Sequence, residues 1–247
     1  TTVIGFYLGS QGQIDLSLLF FTIIGTLLCS TGSSVMNNVI ESETDKLMER
    51  TKNRVLPTQK ISLLSAKIIG FTFIISGLSI LNFKVNSTTC ILSLITIVSY
   101  LFLYTPLKRK SWLNTSIGAI PGALPPLGGW TAATGSLEWG GIAVFLILFF
   151  WQHPHFYSIA YLYKEDYKNA GLQMLPVIDG GIKRTVLHIF LHALILIPIS
   201  TLPFFFGVSG RVYFVGAYIL SNIYMLLCLP FILEQNKENA RLIFKTS

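Results

Sequence analysis

Three oxygen-bearing side chains stand four residues apart, at Asn37, Glu41 and Asp45. If this segment is helical they share one face of the helix, because residues four apart are neighbours on its surface. Asn38 and Glu43 flank that face. Amide and carboxylate oxygens suit a hard divalent cation, and Mg²⁺ is typically held by one or two carboxylates together with the phosphates of a substrate. The spacing therefore predicts a magnesium site that a phosphate completes.

Basic side chains follow these acids at Arg50, Lys52 and Arg54. A metal ion and a cationic clamp acting together are suited to a diphosphate, because the carboxylates bring the metal and the basic groups neutralise the remaining phosphate charge. Such a pairing can ionise an allylic diphosphate. The alternative is a solvated loop beside the membrane that is crossed by salt bridges, as in most mixed charge runs.

A second acidic pair, Glu165 and Asp166, follows a later apolar segment, with Lys164 beside it. The distribution of basic residues places this pair on the same side of the membrane as the first cluster, so we expect a second metal or diphosphate contact there. A solvated turn is the alternative. Three further side chains near the same surface could reach a diphosphate: Tyr104, Lys108 and Asn114.

All four histidines of the chain fall in two apolar segments, at His153, His155, His188 and His192. Polar groups buried in a membrane need partners, so such residues usually face a cavity or the bundle interior. For each histidine alone, an interhelical hydrogen bond is the simpler interpretation. Together they indicate a metalloporphyrin contact or a proton-handling site.

The chain that positions these groups is strongly apolar: 52% of its 247 residues are hydrophobic and 12% are charged, with a mean hydropathy of +0.63. This composition excludes an ordinary soluble domain. Alternating strands typical of an outer-membrane barrel are absent, which predicts an all-α bundle. Runs of about 20 apolar residues, enough to cross the bilayer as helices, occur at 16–39, 62–82, 88–105, 114–133, 139–163, 185–207 and 212–233. Residues 1–9 are interpreted as a partial first span.

The 114–133 run differs from the others because it contains Pro121, Pro125 and Pro126. Each proline removes a helix hydrogen bond. We therefore expect a broken or kinked helix that lines a cavity.

The net charge of +7 does not indicate nucleic acid, because its placement has another explanation. With the loop after the first full span in the cytoplasm, that side holds every basic residue except Lys84 and Arg211. This asymmetry follows the positive-inside rule and predicts the orientation of the helices. Cys29, Cys90 and Cys228 are isolated within apolar runs and are interpreted as small core residues.

Residues 37–45 resemble the first acidic motif of the UbiA-type intramembrane prenyltransferases, which usually reads Asn-Asp-x-x-Asp-x-x-x-Asp. Asn38 and Glu41 stand here in place of two of the usual Asp residues. The continuation "DKLMERTKNRVLP" is more specific, as are "YTPLKR", "GAIPGALPPLGGWTAATG", "WQHPHF" and "EDYKNAGLQMLPV". These motifs occur in family order over residues 1–245, and they resemble the protohaem farnesyltransferase (haem O synthase) branch of that superfamily.

The resemblance implies a single transmembrane prenyltransferase domain over residues 1–247. The family's polytopic all-α bundle has nine helices, so this chain would hold seven full spans and a partial first span, with the last helix missing and the domain truncated at both ends. The implied location is the bacterial cytoplasmic (inner) membrane, with the active-site loops on the cytoplasmic side.

The implied reaction joins the farnesyl group of farnesyl diphosphate to a vinyl group of haem b, giving haem O and diphosphate. Mg²⁺ would be the cofactor, membrane lipid the surroundings, and terminal-oxidase assembly or haem A synthase a possible contact. The metal ligands would be Asn37, Glu41, Asp45 and Asp166, and catalysis would also use Arg50, Lys52, Arg54 and Glu165. Substrates would meet Asn38, Tyr104, Lys108, Asn114, His153, His155 and Lys164.

Three other functions remain open at this stage. A UbiA-type enzyme could act on an aromatic quinone precursor, and "WQHPHF" with "AGLQMLPV" argues for the haem branch instead. A membrane transporter would also use broken helices and intramembrane polar groups. Its polar groups would gather at the midplane, whereas here they gather at one face. A non-catalytic assembly factor is the third.

Overall fold

The computed structural model describes residues 1–247, and it is helical with no strand. The long helices are α2 (Leu16–Asp45), α3 (Leu63–Ile80), α4 (Ser87–Val98), α6 (Asn114–Thr134), α7 (Trp139–Leu162), α10 (Lys183–Phe205) and α11 (Arg211–Leu233). Shorter helices are α1 (Thr2–Gly9), α5 (Thr105–Leu107), α8 (Lys164–Asn169), α9 (Leu175–Ile178) and α12 (Lys237–Thr246). Two π-helical segments, Leu81–Val85 and Ser99–Tyr104, extend α3 and α4.

Six helical stretches are long and apolar enough to cross a membrane, which makes this an integral membrane protein. They are Leu16–Asp45, Leu63–Val85, Ser87–Leu107, Trp139–Leu162, Lys183–Phe205 and Arg211–Leu233. The remaining predicted span, 114–133, is also a helix, α6, but it is rich in small residues and proline. More than half of its residues are buried, so α6 lies inside the bundle.

Polar side chains set the starts of three spanning helices. Asp15 accepts hydrogen bonds from the backbone N–H groups of Ser17 and Leu18 at the start of α2. Ser62 and Asn86 cap α3 and α4 in the same way. These caps satisfy N–H groups that have no partner within the helix, and they agree with the starts predicted from hydropathy.

Close helix contacts depend on glycine at two places. A Cβ atom at Gly32 of α2 would lie 2.7 Å from the carbonyl oxygen of Gly70 in α3. A Cβ atom at Gly5 of α1 would lie 1.9 Å from the carbonyl oxygen of Pro126 in α6. Small residues allow helix backbones to approach in membranes, where tight packing drives association.

The expected break in α6 does not occur. The helix runs without interruption from Asn114 to Thr134 although it contains three prolines, and it ends where Gly135 takes a left-handed conformation with φ of +79°. Burial among neighbouring helices supports the backbone where proline removes hydrogen bonds. The sequence also predicted that this helix lines a cavity, and α6 does so.

Candidate active site

A cavity of about 780 Å³ opens at the end of the bundle where α2 and α7 end. We call it the acidic cavity. Its polar lining comes from α2, the following loop, the segment around α5, and the α7–α8 junction with α8. It comprises Ser34, Asn37, Asn38, Glu41, Asp45, Arg50, Arg54, Tyr100, Tyr104, Lys108, Tyr163 and Tyr167. The predicted side chains of α2 therefore share one face, as their spacing indicated.

Four side chains form a hydrogen-bonded chain between α2 and the segment that contains α5, beside this cavity. Thr105 Oγ1 donates to Asn37 Oδ1 at 2.8 Å, and Asn37 Nδ2 donates to Glu41 Oε2 at 2.9 Å. Lys108 Nζ ends the chain by donating to Glu41 Oε1 at 2.8 Å. Because the Glu41 carboxylate accepts hydrogen bonds, the amide nitrogen of Asn37 faces Glu41 and its oxygen faces Thr105.

Lys108 is held by both charge and an aromatic face. The side chains of Lys108 and Glu41 are each 13% exposed, and Lys108 Nζ lies 4.5 Å from the centre of the Tyr104 ring. Burial alone would lower the pKa of Lys108, but Tyr104 and Glu41 outweigh it and leave the pKa above its ordinary value. The lysine is therefore charged at neutral pH and available to a phosphate.

Asp45 is the most deeply buried acid of the cavity, at 1% exposure. Its Oδ2 atom accepts a hydrogen bond from Arg54 Nη1 at 2.9 Å, and the same guanidinium donates to Asn38 Oδ1 at 3.2 Å. Its Oδ1 atom is buried and has no hydrogen-bond partner. A buried carboxylate oxygen without a donor is costly, so this atom is suited to an added cation.

The side chains at the cavity could supply part of a Mg²⁺ site, with substrate phosphates supplying the rest. No three His, Cys, Asp or Glu side chains converge as a complete metal-binding group. Mg²⁺ does not require one, because one or two carboxylates with substrate phosphates suffice. The free Oδ1 of Asp45 and the nearby Glu41 on the same helix face meet that smaller requirement.

The second acidic segment reaches the first through one backbone contact. Asp166 Oδ2 accepts from the backbone N–H of Arg50 at 3.4 Å, and the Arg50 guanidinium lies 5.7 Å from the Tyr163 ring. Lys164, Glu165 and Asp166 do not themselves line the acidic cavity, whereas Tyr163 and Tyr167 do. Burial raises the pKa of Tyr167, which keeps its hydroxyl protonated and able to donate.

Two other predicted residues lie away from the cavity lining. Lys52 is half-exposed and pairs with Glu49 at 2.6 Å. Asn114 is fully buried, and its Nδ2 donates to the carbonyl oxygens of Ser111 and Gln173. Asn114 therefore ties the start of α6 to the loop before α9.

The predicted histidines line neither this cavity nor the apolar one beside it. His153 is 0% exposed, and its ring nitrogens contact the Phe149 carbonyl oxygen and Ser116 Oγ. Its ring stacks on His192 at 3.9 Å between centres. His155 Nδ1 lies 2.7 Å from Ser247 Oγ, and its ring packs edge-on against Phe156, which lines both cavities.

An apolar chamber of about 660 Å³ lies beside the acidic cavity, deeper in the bundle. Its walls come mainly from α2, α4 and α6, including Leu27, Leu92, Pro121, Leu124 and Pro125. The chamber and the acidic cavity share their boundary residues, which are Ser34, Tyr100, Tyr104, Lys108, Phe156 and Met174. A molecule with a charged head and an apolar tail therefore has a matching pair of spaces.

Two residues at the site, Tyr100 and Thr105, were not predicted from the sequence. They lie at a π-helical segment, where the rings of Tyr100 and Tyr104 stack with their centres 5.8 Å apart. Gln152, a polar residue within an apolar span, lines the chamber. The Tyr-x-x-x-Tyr spacing and the proline after Thr105 were the available signals. Hydropathy gave no sign that the helix widens there.

The chain, over residues 1–247, matches the UbiA prenyltransferase family. A Solibacter usitatus (strain Ellin6076) protein named Protoheme IX farnesyltransferase is 44% identical over 235 residues, which is 95% of this chain and 80% of that protein. An Aquifex aeolicus (strain VF5) protein of the same name is 41% identical over 245 residues, which is 99% of this chain and 84% of that protein.

Solved structures share the fold at lower identity. A digeranylgeranylglyceryl phosphate synthase superposes with a TM-score of 0.83 at 20% identity, covering 99% of this chain and 85% of its own. A UbiA homologue from Archaeoglobus fulgidus bound to DMAPP and Mg²⁺ gives a TM-score of 0.73 at 18% identity, covering 99% and 91%. The all-α fold of UbiA type predicted from the sequence is thereby confirmed.

Proposed function

The chain belongs to the UbiA prenyltransferase family and, within it, to the protoheme IX farnesyltransferases, and from this premise we propose its reaction. It transfers the farnesyl group of farnesyl diphosphate to a vinyl group of haem b, and with water as the third reactant it gives haem O and diphosphate. The observation that carries this proposal is the acidic cavity that opens, at Tyr100, Tyr104 and Lys108, onto an apolar chamber. The diphosphate occupies the first space and the isoprenoid enters the second.

The first step breaks the bond between farnesyl C1 and the diphosphate oxygen, and the electron pair leaves with the diphosphate. Arg54 and Lys108, already at the cavity, turn from Asp45 and Glu41 to the departing phosphate oxygens and neutralise their charge. Asp45, Glu41 and Asn37 would hold Mg²⁺, which would supply Lewis-acid stabilisation of the leaving group.

The remaining catalytic and binding residues surround this centre in the proposal. Arg50 contacts Asp166 through its backbone, so the Glu165–Asp166 segment closes the cavity from the α8 side and adds a ligand as the substrate binds. Lys52 and Lys164 supply positive charge at the rim, while Asn38 orients Arg54.

The second step joins farnesyl C1 to the terminal carbon of a haem vinyl group. The Leu- and Pro-lined chamber shields the allylic cation from water until this bond forms, and the Tyr104 ring can stabilise the cation. His155, next to Phe156 at the chamber wall, positions the haem through its iron or a propionate. His153 supports that wall, and Asn114 fixes the adjacent loop.

The proposal also gives the enzyme a location and partners. The positive-inside distribution supports a bacterial inner membrane with the acidic cavity on the cytoplasmic side. Farnesyl diphosphate is charged and reaches the cavity from that side, and haem b partitions into the bilayer. Haem O then serves terminal-oxidase assembly, by contact with an oxidase assembly factor or haem A synthase.

The test is product analysis with purified protein in lipid nanodiscs. Haem b, farnesyl diphosphate and Mg²⁺ are supplied, and extracted haem is analysed by mass spectrometry. We expect haem O from the unaltered protein. Asp45→Asn should lower the rate by about 10²–10³-fold, because it removes a ligand of the metal ion that would stabilise the leaving group, while Asp15→Asn, at the far end of α2, should not.

Other products would point to the other functions. Prenylation of 4-hydroxybenzoate in place of haem b would make the protein a quinone-pathway enzyme. Counterflow of substrate without a covalent product would indicate a transporter. Oxidase assembly retained with Glu41→Ala and Asp45→Ala together would favour a non-catalytic assembly factor.

A further inference from the structure

A buried amide with a free oxygen lies at the apolar chamber. Gln152 of α7 is 4% exposed and lines the chamber. Its Nε2 atom donates to the carbonyl oxygen of Ala119 at 2.8 Å. Because the nitrogen is committed to this carbonyl, the orientation of the amide is fixed, and no protein group donates to Oε1. Gln152 is a buried residue that lines the chamber, so a molecule inside the chamber can supply the hydrogen bond that Oε1 lacks.

Gly122 makes room for that oxygen. A Cβ atom at Gly122 would lie 2.3 Å from Gln152 Oε1, closer than to any other side-chain or backbone atom around it. One turn earlier on α6, a Cβ atom at Gly118 would lie 2.5 Å from the Tyr104 ring. Residues four apart on a helix are separated by about 6 Å along its axis. The amide oxygen therefore lies about one turn deeper than the boundary with the acidic cavity.

We propose that Gln152 Oε1 holds the water molecule that captures the porphyrin cation, which makes Gln152 a positioning residue for the last step. This inference rests on the proposed function. When farnesyl C1 bonds to the terminal vinyl carbon, the positive charge moves to the vinyl carbon next to the porphyrin ring. The oxygen of the held water bonds to that carbon, one of its protons passes to the released diphosphate, and a hydroxyl group remains.

The chamber explains why the water must be held. Most of its exposed wall is apolar, and the hydroxyls of Thr26, Ser33 and Thr96 donate to carbonyl oxygens of their own helices. A cation without a held water nearby loses a proton to give an alkene instead. Gln152 Oε1 accepts a hydrogen bond from one O–H of the water. The lone pairs of the water oxygen stay free, and the electron density on the water oxygen rises. One fixed acceptor thus selects hydration over elimination.

The experiment compares products of Gln152→Leu and of the unaltered protein in nanodiscs with haem b, farnesyl diphosphate and Mg²⁺. Diphosphate release reports ionisation, and mass spectrometry separates the hydroxylated porphyrin from the alkene, which is lighter by one water. We expect the ratio of hydroxylated product to alkene to fall about tenfold, the effect of losing one hydrogen bond. Diphosphate release should change by less than about twofold.

Gly122→Ala is an independent second variant. Its new methyl group would occupy the position of Oε1 and displace the amide without removing it, so the same change in product ratio is expected. Asn222→Leu is the matched control, because Asn222 also donates its amide nitrogen to a helix carbonyl but lies outside the chamber.

The outcomes separate the two proposals. If the unaltered protein yields no prenylated haem, the proposed function fails. If the unaltered protein yields haem O and both variants give the same product ratio as the unaltered protein, the proposed role of Gln152 is wrong and the proposed function stands. Equal loss of ionisation and hydration in both variants, with thermal unfolding unchanged, would also overturn it, because Gln152 would then act before the cation forms.

Discussion

The carboxylates of the acidic cavity are neutralised by neighbouring cations of the same chain. Glu41 pairs with Lys108 at 2.8 Å and Asp45 with Arg54 at 2.9 Å. Pairing places the cations where the diphosphate charge develops in the proposed reaction. At the residue scale, the cations of the site are therefore held in ion pairs within the chain, and a diphosphate can replace the carboxylates as their partner.

Thr105 is expected to set the geometry of this arrangement. Its hydroxyl lies 2.8 Å from both Asn37 Oδ1 and the Tyr100 carbonyl oxygen, so it fixes the Asn37 amide that donates to Glu41. Thr105→Val keeps the shape and removes the donor. We expect about a tenfold lower kcat and a higher Mg²⁺ concentration for half-maximal farnesyl diphosphate binding.

Thr105→Ser is the matched variant, because it restores the hydroxyl. Binding is measured by calorimetry with Mg²⁺ and farnesyl diphosphate, and the rate by haem O formation. Recovery of both quantities in the Ser variant supports the positioning role. An equally impaired Ser variant would show that the methyl group matters and that the hydrogen bond does not.

Lys108 gives a prediction about pH. Burial would lower its pKa, but Tyr104 and Glu41 raise it above the ordinary value. A folded pKa above the unfolded one adds stability that is complete below the unfolded pKa, about 10.4, and is lost as pH rises through the folded value. The stability difference between the unaltered protein and Lys108→Met should therefore be constant from about pH 7 to pH 9.

That difference should be about 3 kcal/mol, because removing one partner of a buried pair leaves the other charge uncompensated. Thermal or denaturant unfolding in one detergent at several pH values measures it. Adding Glu41→Gln to Lys108→Met should recover most of the loss, since no buried charge then remains. A difference that shrinks between about pH 7 and pH 9 would mean that Lys108 loses its proton there.

At the scale of helices, the sequence predicted the bundle well because hydropathy reports burial in the membrane directly. All seven predicted runs are helices, and Asp15, Ser62 and Asn86 cap three of them. The π-helical Ser99–Tyr104 segment and the unbroken α6 were not predicted. Both depend on how neighbouring helices support the backbone, and no local pattern records that support.

The site was predictable to a similar extent and for a related reason. Asn37, Glu41 and Asp45 share a helix face that spacing alone defines. Asn114 and His153 lie outside the cavity linings because long-range contacts with Gln173 and Ser116 hold them. Lys52 is half-exposed and pairs with Glu49, and the roles of all three stay predictions. The roles of Thr105 and Gln152 depend on partners 68 and 33 residues away, which a single sequence does not reveal.

The contact between α2 and α3 gives a prediction at this scale. A methyl group at Gly32 would meet the Gly70 carbonyl oxygen at 2.7 Å and the Ile74 backbone nitrogen at 2.9 Å. Backbone atoms cannot move aside as a flexible side chain does. Gly32→Ala should therefore lower the free energy of unfolding by about 1–3 kcal/mol, the usual cost of overpacking.

Gly216→Ala on α11 is the control. Nothing lies within 4 Å of a Cβ atom there, so replacing glycine in a helix should stabilise by up to about 1 kcal/mol. Both variants are compared by unfolding in the same detergent. A Gly32 variant that is as stable as the Gly216 variant would show that α2 and α3 separate easily.

At the scale of the whole molecule, both acidic segments lie at one end of the bundle. Arg50 and Asp166 are in contact there, although 116 residues separate them, and the α6–α7 turn lies at the other end. The basic residues follow the same division, with only Lys84 and Arg211 at the far end. From the positive-inside rule we propose that the acidic end faces the cytoplasm.

Cysteine labelling in spheroplasts tests this orientation. Glu43→Cys and Asn169→Cys mark the acidic end and Ser136→Cys marks the other, and all three positions are exposed. Of the native cysteines, Cys29 and Cys228 are buried, so the unaltered protein gives the background. A membrane-impermeant maleimide should label only the Ser136 variant until the membrane is permeabilised, when all three should react.

The reverse pattern would place the acidic cavity outside the cytoplasm. Farnesyl diphosphate carries its charge on the diphosphate and does not cross a bilayer unaided, so the cavity must open to the compartment that contains it. Labelling of Glu43→Cys in intact spheroplasts would therefore contradict the orientation and the proposed route of the substrate together. Labelling of Ser136→Cys alone would support the proposed orientation, in which the diphosphate enters from the cytoplasm and the isoprenoid lies toward the centre of the bilayer.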